Sequence, residues 1–496
     1  MRPLLRLAAC TLLLPLSATG ATAADTLPHI VVILADDLGW KDVGYHGSEI
    51  ATPSIDRLAR EGVELNRFYA QPTCSPTRSG LMTGKSPLRL GITRPISKNE
   101  PRGLALSETI LPQHLARLGY QPLMVGKWHL GHHTPDQFPQ ARGFEHFYGH
   151  VTGGIGYWDH NHGGGHDWQR NGETLREEGY ATHLLADEAI RVLAARDRGR
   201  PTFLYLSFSA PHLPNEAPDA AIERYVDVED PNRRVHAAMV DELDRAIGRV
   251  LAALESEGML DESIVLFSSD NGGLVRAAAP ESFRTATDWI LRAFDRPIPI
   301  EALEFLVSNV NDGGSDNTPL PTGKGNIGEG GARVPAAIRW PGHLAPARFD
   351  GFMTISDVLP TLLEAVGATD AIPDDLDGES RWAALQGGDE PDDPPDYAIT
   401  GYRGMAIYRW PWKLLDPESD EPRLHHLERD PTEEHDVASQ HPDLVAALVA
   451  MAKTWPRGRG PEVSMLEVMW DPDRFGGPED RPPWADVARE RAAPNR

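Results

Sequence analysis

Four short runs of β-branched and aromatic residues recur along the chain, and each run ends in charged or polar side chains. The runs are residues 29–37, 122–129, 202–212 and 263–271. Segments with apolar residues at helical spacing lie between them, at residues 54–62, 111–119 and 237–258. Buried strands that alternate with helices predict an α/β fold, in which helices sandwich a large, mostly parallel sheet.

The amino-terminal residues follow a different pattern. Arg2 and Arg6 give the chain a basic start, an apolar stretch follows, and small residues close it. This order predicts a secretory signal peptide over residues 1–24. The LAAC stretch at residues 7–10 resembles a lipid-attachment box, but most of the apolar region follows it. No later apolar run approaches the roughly 20 residues that span a bilayer, so we expect a periplasmic or secreted protein without stable membrane insertion.

The rest of the chain divides into a large and a small unit. At 496 residues the chain exceeds the roughly 250 to 300 residues at which one core stops growing. We expect a main domain at residues 25–375, with a helical insertion at 274–310. An acidic, proline-rich linker at 376–396 leads to a small carboxyl-terminal subdomain at 397–456, and a proline-rich tail at 457–496 follows.

The chain is strongly acidic, with a formal net charge of -25. Such a surface argues against nucleic acid as a partner, because a polyanion would be repelled. An anionic substrate would need basic residues concentrated in one pocket. The net charge therefore argues against polyanionic partners but does not indicate which reaction, if any, the protein catalyses.

Oxygen-bearing pairs follow the first and the fourth apolar run: Asp36 with Asp37, and Asp270 with Asn271. Carboxyl ends of parallel strands meet at one edge of a sheet, so we expect the two pairs to lie close together. Carboxylate and amide oxygens suit a hard cation, calcium or magnesium. A second Asp-Asn pair at residues 316–317 competes for this role, but it does not follow a buried strand.

Cys74 is the one cysteine that remains if the signal peptide, with Cys10, is removed. Pro76 is tolerated in a first helical turn and Ser75 is a candidate cap, so we expect Cys74 at the amino end of a helix. That position favours negative charge, and Arg78 follows within about one turn. Residue 74 is therefore predicted to face an anion or to carry negative charge itself.

The CSPTR stretch at residues 74–78 resembles the C-x-P-x-R signature of the type I sulfatases. Further blocks resemble that family in the family's order: VVILADDLGW, VGKWHLG, APHLPNEAP, SSDNGG and GKGNIGEGGARVPAAIRWPG. The resemblance runs from Ile30 to His435. It implies an alkaline phosphatase-like α/β fold and a smaller carboxyl-terminal α+β subdomain that carries an antiparallel sheet.

The resemblance also implies a sulfuric ester hydrolase with a modified nucleophile. In this family a separate maturation enzyme oxidises the signature cysteine, here Cys74, to formylglycine, and the hydrate of that aldehyde attacks the sulfur. The catalytic residues implied are Cys74, Arg78, Lys127, His129, His212 and Lys324. The implied ligands of the cation, calcium or else magnesium, are Asp36, Asp37, Cys74, Asp270 and Asn271.

Each implied catalytic residue has an expected task. Lys127 and Lys324 would bind the sulfate oxygens, and His212 would protonate the leaving oxygen. His129 would contact the formylglycine hydroxyl during sulfate release, and Arg78 would hold the aldehyde hydrate in place.

The expected substrate is a sulfated carbohydrate or an aryl sulfate. Residues 143–173 resemble the corresponding part of arylsulfatase B-type N-acetylgalactosamine 4-sulfatases. Aromatic rings and imidazoles in this segment could line a sugar subsite: Tyr157, Trp158, His160, His162, His166 and Trp168. A glycine-rich surface loop with incidental histidines explains the same composition.

Two other functions remain open from the sequence. A phosphonate monoester or phosphodiester hydrolase would share the fold, the signature and the oxygen-rich metal site. A noncatalytic glycan-binding protein would keep Cys74 as a thiol.

Overall fold

The computed structural model describes residues 27–98, 100–162, 165–276, 312–389, 394–460 and 482–493. The predicted signal peptide and all but the first three residues of the predicted insertion lie outside the described residues. So do four residues of the predicted linker, at 390–393, and much of the predicted tail. No helix in the described part of the chain is long and apolar enough to cross a bilayer.

The strands, in chain order, are β1 (His29–Ala35), β2 (Val63–Leu65), β3 (Phe68–Tyr69), β4 (Gln121–Gly126), β5 (His146–Gly149), β6 (Asn161–His162), β7 (Gly165–His166), β8 (Gln169–Arg170), β9 (Glu173–Thr174), β10 (Thr202–Ser207), β11 (Ser263–Ser269), β12 (Ala336–Arg339), β13 (Ala347–Phe349), β14 (Met353–Thr354), β15 (Tyr397–Thr400), β16 (Met405–Arg409), β17 (Trp412–Leu415) and β18 (Arg423–His426). The described helices are α1 (Pro53–Glu61), α2 (Cys74–Thr83), α3 (Pro87–Leu90), α4 (Leu111–Arg117), α5 (Ala181–Ala194), α6 (Asp219–Ile222), α7 (Pro231–Ser256), α8 (Glu329–Ala332), α9 (Val358–Ala365), α10 (Trp382–Leu385), α11 (Pro442–Thr454) and α12 (Trp484–Ala492).

Ten strands form the main sheet, in the order β13-β2-β12-β11-β1-β10-β4-β5-β8-β9. The central five strands, from β11 to β5, run parallel to one another. Antiparallel pairs flank them, β11 with β12 on one side and β5 with β8 on the other. The four apolar runs in the sequence form β1, β4, β10 and β11, so these predicted strands are confirmed.

Both faces of the main sheet are buried, as a parallel sheet requires. Alternate residues of β1 enter different cores: Ile30, Val32 and Leu34 pack in one apolar cluster, and the residues between them pack in the other. The long helix α7 covers the second face, and the side chain of Asp230 caps it by accepting from the backbone of Asn232 and Arg233. The predicted α/β sandwich is confirmed.

A separate antiparallel sheet follows, in the order β15-β16-β17-β18. One of its faces packs against Tyr69 and Phe352 of the preceding part of the chain. Its other face packs against Leu448 and Ala452 of α11. The predicted antiparallel sheet near the carboxyl end is therefore confirmed.

A buried ionic cluster joins this small sheet to the main part of the chain. Lys413 Nζ of β17, whose side chain is fully buried, lies 3.0 Å from Glu329 Oε1 and 2.7 Å from Glu433 Oε1. The hydroxyls of Tyr69 and Tyr408 donate to the Glu329 carboxylate at 2.8 and 3.1 Å. The Lys413 ammonium holds the two glutamates in place, because separating these groups would leave uncompensated charge in the protein interior. The cluster therefore fixes the start of α8 against the small sheet.

Candidate active site

The carboxyl ends of four adjacent strands, β11, β1, β10 and β4, build one edge of the main sheet. Each strand is followed by side chains that the sequence singled out, and the structure brings them to this edge: Asp36, Asp37, Lys127, His129, His212, Asp270 and Asn271. Cys74 and Arg78 reach the same edge from α2, and Lys324 reaches it from the loop before α8. In open α/β sheets the carboxyl ends of parallel strands lie at one edge, and ligands bind there.

Cys74 lies against the first carboxylate. Its Sγ is 3.4 Å from Asp36 Oδ1, and Lys127 Nζ is 2.6 Å from Asp36 Oδ2. The Cys74 side chain is only 1% exposed. Burial, and then the negative charge of Asp270, raises the pKa of the Cys74 thiol well above its usual range. The unmodified sulfur is therefore a neutral thiol in this setting.

Asp37 makes the second charged pair. Lys324 Nζ lies 2.7 Å from Asp37 Oδ2, and His212 Nε2 lies 3.7 Å from the same oxygen. Asn271 Nδ2 donates to Asp37 Oδ1 at 2.8 Å. Burial opposes ionisation here, but the charge of Lys324, helped by His212 in its protonated form and by the hydrogen bonds from Lys324 and Asn271, outweighs it and holds the pKa of the Asp37 carboxyl well below its usual range. Asp37 is an anion at neutral pH.

Arg78 and Asp270 make the third pair. Nε and Nη2 of Arg78 donate to Asp270 Oδ2 at 2.9 and 2.7 Å. Nη1 donates to the backbone oxygen of Lys127 at 2.9 Å and to Ser207 Oγ at 2.6 Å. Burial, and then the charge of Asp36, raises the pKa of Asp270 to about 6. Arg78 therefore braces Asp270 and the loop after β4, and its predicted hold on the aldehyde hydrate at residue 74 stays a prediction.

His129 is held by its backbone and by one ring nitrogen. Its Nε2 lies 3.0 Å from the carbonyl oxygen of Ile96, so this nitrogen carries the hydrogen, and its buried Nδ1 has no hydrogen-bond partner. Burial, and then the charges of Lys127 and Arg78, holds the pKa of His129 well below its usual range. The imidazole is neutral, with an unshared acceptor on Nδ1.

Helix α2 begins at Cys74, so the predicted place of this residue at a helix start is confirmed. The predicted capping role of Ser75 is wrong, because Thr73 occupies the cap position and no side chain caps the helix. Ser75 Oγ instead donates to the backbone oxygen of His129 at 2.9 Å and accepts from Ile96 N at 3.0 Å. Ser75 therefore ties the His129 loop to the start of the helix.

The edge has donors that fit a hard divalent cation. One ligand atom from each of Asp36, Asp37, Cys74 and His212 lies within 4.8 Å of the others. Asn271 Oδ1 is buried and has no hydrogen-bond donor, and a cation would satisfy such an oxygen. The carboxylate and amide oxygens favour calcium or magnesium over softer metals.

The competing pair at residues 316–317 is already satisfied by protein groups. Asn317 Oδ1 accepts from the backbone of Gly273 and Trp40, and its Nδ2 donates to two backbone oxygens. Asp316 accepts from Thr318 N, and its other oxygen lies 3.5 Å from Lys41 Nζ. This pair stabilises the loop beside the edge, which favours Asp270 and Asn271 as the pair with a free oxygen.

The structure divides the predicted sugar subsite. Four of its six residues are buried and use their polar atoms within the protein: Tyr157, His160, His166 and Trp168. Trp158 is 49% exposed, and His162 is partly exposed. A Cβ added to Gly154 would lie 3.4 Å from both His162 Nδ1 and His212 Cε1, so His162 neighbours the strand-edge cluster. Four of the six residues therefore belong to the core, and only Trp158 and His162 are exposed enough to contact a substrate.

Two residues of the edge were missed by sequence reasoning. His150 directly follows β5 and is fully buried, with Nε2 2.7 Å from Ser209 Oγ and Nδ1 without a partner. His150 could have been found from the sequence, because it follows a strand as the other candidate residues do. Ser207, the last residue of β10, contacts Arg78, and only the fold shows that contact.

Comparison with known proteins decides the family. The sulfatase family profile matches residues 28–368. The chain belongs to the sulfatase family. It is 35% identical over 383 residues to arylsulfatase J of Mus musculus, covering 74% of this chain and 57% of that protein. It is 32% identical over 431 residues to N-acetylgalactosamine-6-sulfatase of Mus musculus, covering 81% and 75%.

Structural comparison agrees with this assignment. The crystal structure of Ps i-CgsB in complex with k-i-k-neocarrahexaose superposes with a TM-score of 0.76 at 28% sequence identity. The match covers 90% of this sulfatase and 97% of that chain. The alkaline phosphatase-like architecture implied by the signature is thus confirmed.

Substitution of Asn271 tests the cation site in this sulfatase. Asn271→Ala removes the unpartnered buried oxygen and should weaken calcium binding by about tenfold or more, because one ligand is lost. Asp316→Ala is the matched control and should bind calcium as the wild type does. Calorimetric titration of calcium chloride into chelator-treated protein measures both. Unchanged affinity in Asn271→Ala, or equal loss in both variants, would contradict the assignment.

Proposed function

We propose that this sulfatase hydrolyses sulfate monoesters of carbohydrates, with a nucleophile formed from Cys74. The observation that carries the proposal is the position of Cys74, which is buried at a helix start and lies 3.4 Å from Asp36 Oδ1, among three carboxylate-cation pairs. Membership in the sulfatase family supports the reaction class. The name of a relative, N-acetylgalactosamine-6-sulfatase, supports a sulfated sugar as substrate.

The proposal includes conversion of Cys74 to formylglycine by a separate maturation enzyme. Formylglycine would supply, as its hydrate, two hydroxyls on one carbon, the first to attack sulfur and the second to expel sulfate. The thiol is 1% exposed in the folded chain. A maturation enzyme would therefore have to reach residue 74 early, while the chain is still unfolded and α2 has not yet packed into the core.

The proposed cation is calcium, with magnesium as the alternative, held by Asp36, Asp37, Asp270 and Asn271 together with residue 74. When bound, it would polarise a sulfate oxygen and lower the pKa of the attacking hydroxyl. Arg78 contributes by orienting Asp270 through two hydrogen bonds.

Lys127 and Lys324 are the proposed sulfate-binding residues. Both ammonium groups are nearly inaccessible to solvent and lie 2.6 and 2.7 Å from carboxylates of the proposed cation site. A cation on those carboxylates would release the lysines to bind an anionic ester. Each well-placed donor could stabilise the transition state by about 3 kcal/mol.

His212 is the proposed general acid. Its Nδ1 lies 2.6 Å from the backbone oxygen of Leu213, so Nδ1 carries a hydrogen and Nε2 is the atom that can exchange a proton at the site. Burial, and then the charge of Lys324, lowers the pKa of His212 to about 3. An anionic ester nearby would raise it, because negative charge favours the imidazolium. His129, with its unpartnered Nδ1, is the proposed partner of residue 74 during sulfate release.

We propose export to the periplasm or the medium, on the basis of the predicted signal peptide. The division into a catalytic domain at 25–375 and a small subdomain at 397–456 remains part of the proposal. The small subdomain's sheet and helix support it.

Replacing Cys74 tests the nucleophile. Cys74→Ala, made beside wild type with a maturation enzyme present, should lose sulfate release from 4-nitrophenyl sulfate and N-acetylgalactosamine 6-sulfate by about 10⁴-fold or more. Its melting temperature should stay close to that of wild type, because a small buried side chain becomes slightly smaller.

Matched phosphonate esters serve as the control for reaction class. Faster turnover of 4-nitrophenyl phenylphosphonate than of 4-nitrophenyl sulfate would favour a phosphonate monoester hydrolase. Full activity in Cys74→Ala would refute the nucleophile, and no turnover by wild type would favour a noncatalytic glycan-binding protein.

Replacing His212 tests the general acid through the leaving group. His212→Ala should lower kcat/KM for N-acetylgalactosamine 6-sulfate by about 10²- to 10⁴-fold. The loss should be much smaller for 4-nitrophenyl sulfate, because nitrophenolate leaves without a proton. His183→Ala, which removes a surface imidazole with 41% side-chain exposure, is the control. Equal losses on both substrates in His212→Ala would contradict the role.

A further inference from the structure

Tyr402 is an exposed aromatic side chain in the turn between β15 and β16 of the small sheet. It is 52% exposed, and Trp158 is the other aromatic residue among the large exposed apolar side chains of the described chain. Most aromatic rings of this protein are packed in its cores. Exposure alone does not indicate a function, so the surroundings of the ring decide what it can do.

The turn that carries Tyr402 lies against the loop that carries Lys324. Tyr402 N donates to the backbone oxygen of Gly325 at 2.8 Å. A Cβ added to Gly325 would lie 2.2 and 2.3 Å from Cδ2 and Cε2 of the Tyr402 ring. The ring therefore packs directly on the backbone of Gly325, the residue after Lys324. Gly325 is needed there for space and for its φ of +78°.

Strand β15, which leads into this turn, and Gly325 are both fixed to the segment that precedes α2. Gln71 Nε2 donates to the Tyr397 hydroxyl and to the backbone oxygen of Ala398, both at 2.9 Å. Gly325 N donates to the backbone oxygen of Pro72 at 2.7 Å. Gln71 and Pro72 precede Cys74 by three and two residues. The position of Tyr402 is therefore tied to residues just before Cys74 and to the residue just after Lys324.

The electrostatic surroundings of Tyr402 agree with this placement. Desolvation raises the pKa of its hydroxyl, and the positive charge of the nearby Lys324 opposes the rise. Lys324 Nζ in turn lies 2.7 Å from Asp37 Oδ2 in the candidate active site. The Tyr402 side chain is therefore near that lysine while about half of it, 52%, stays exposed to solvent.

We propose that Tyr402 is a substrate-positioning residue, whose ring forms the wall of the entrance beside Lys324 and stacks on the sugar ring that bears the sulfate ester. This inference rests on the proposed function and assigns a part of the small sheet to substrate binding. Aromatic faces suit the C–H faces of a hexose, and a tyrosine wall keeps a polar edge toward water. An aryl sulfate would place its ring on the same face.

The test compares Tyr402→Ala with Tyr402→Phe on 4-nitrophenyl sulfate and N-acetylgalactosamine 6-sulfate. Tyr402→Ala should raise KM roughly tenfold with little change in kcat, because stacking stabilises bound substrate and transition state alike. Tyr402→Phe keeps the ring and should retain the wild-type KM. Inhibition by inorganic sulfate, which has no ring, should be unchanged in both variants.

The possible failures are separable. Wild-type enzyme that turns over neither ester would overturn the proposed function together with this inference. Active wild type with an unchanged KM in Tyr402→Ala would overturn this inference alone. A parallel loss of inhibition by inorganic sulfate would also overturn it, because Tyr402 would then act by placing Lys324.

Discussion

The candidate active site depends on the balance of charge among three aspartates that are buried together. Each pairs with one cation: Asp36 with Lys127, Asp37 with Lys324, and Asp270 with Arg78. Buried carboxylates at such close range would repel one another without these partners. Cys74 lies against this set, so the group at residue 74 experiences the field of the whole cluster.

The fold meets this constraint by delivering the six charged groups from different elements to one edge. The parallel strands supply the aspartates and Lys127, while the start of α2 and a glycine-rich loop supply the others. The small sheet then braces that loop twice, through the buried Lys413–Glu329 pair and through the backbone contact of Tyr402 with Gly325. The small sheet therefore supports both the position of Lys324 and, in our proposal, the recognition of substrate.

Much of this arrangement could be predicted from sequence. Continuous apolar runs that end in Asp36, Lys127, His212 and Asp270 mark parallel strands and their functional ends, because both faces of such strands are buried. Which cation pairs with which aspartate could not be predicted, because the partners are far apart in sequence. Arg78 and Asp270, for example, are separated by 192 residues. The sequence also did not predict that most of the aromatic and imidazole rings at residues 157–168 are buried. A glycine-rich segment has no hydrophobic periodicity that would separate core positions from surface positions. The capping prediction for Ser75 was wrong because tertiary contacts with His129 use its hydroxyl.

The central claim is that the buried residue 74 acts as an aldehyde and not as a thiol. The most direct measurement is the mass of the tryptic peptide Phe68–Arg78, from protein made in its native host or with a maturation enzyme present. Conversion predicts a peptide that has lost H₂S and gained one oxygen relative to the cysteine form. An intact cysteine peptide from such protein would contradict the account and leave a buried thiol among charges that the proposed mechanism cannot use.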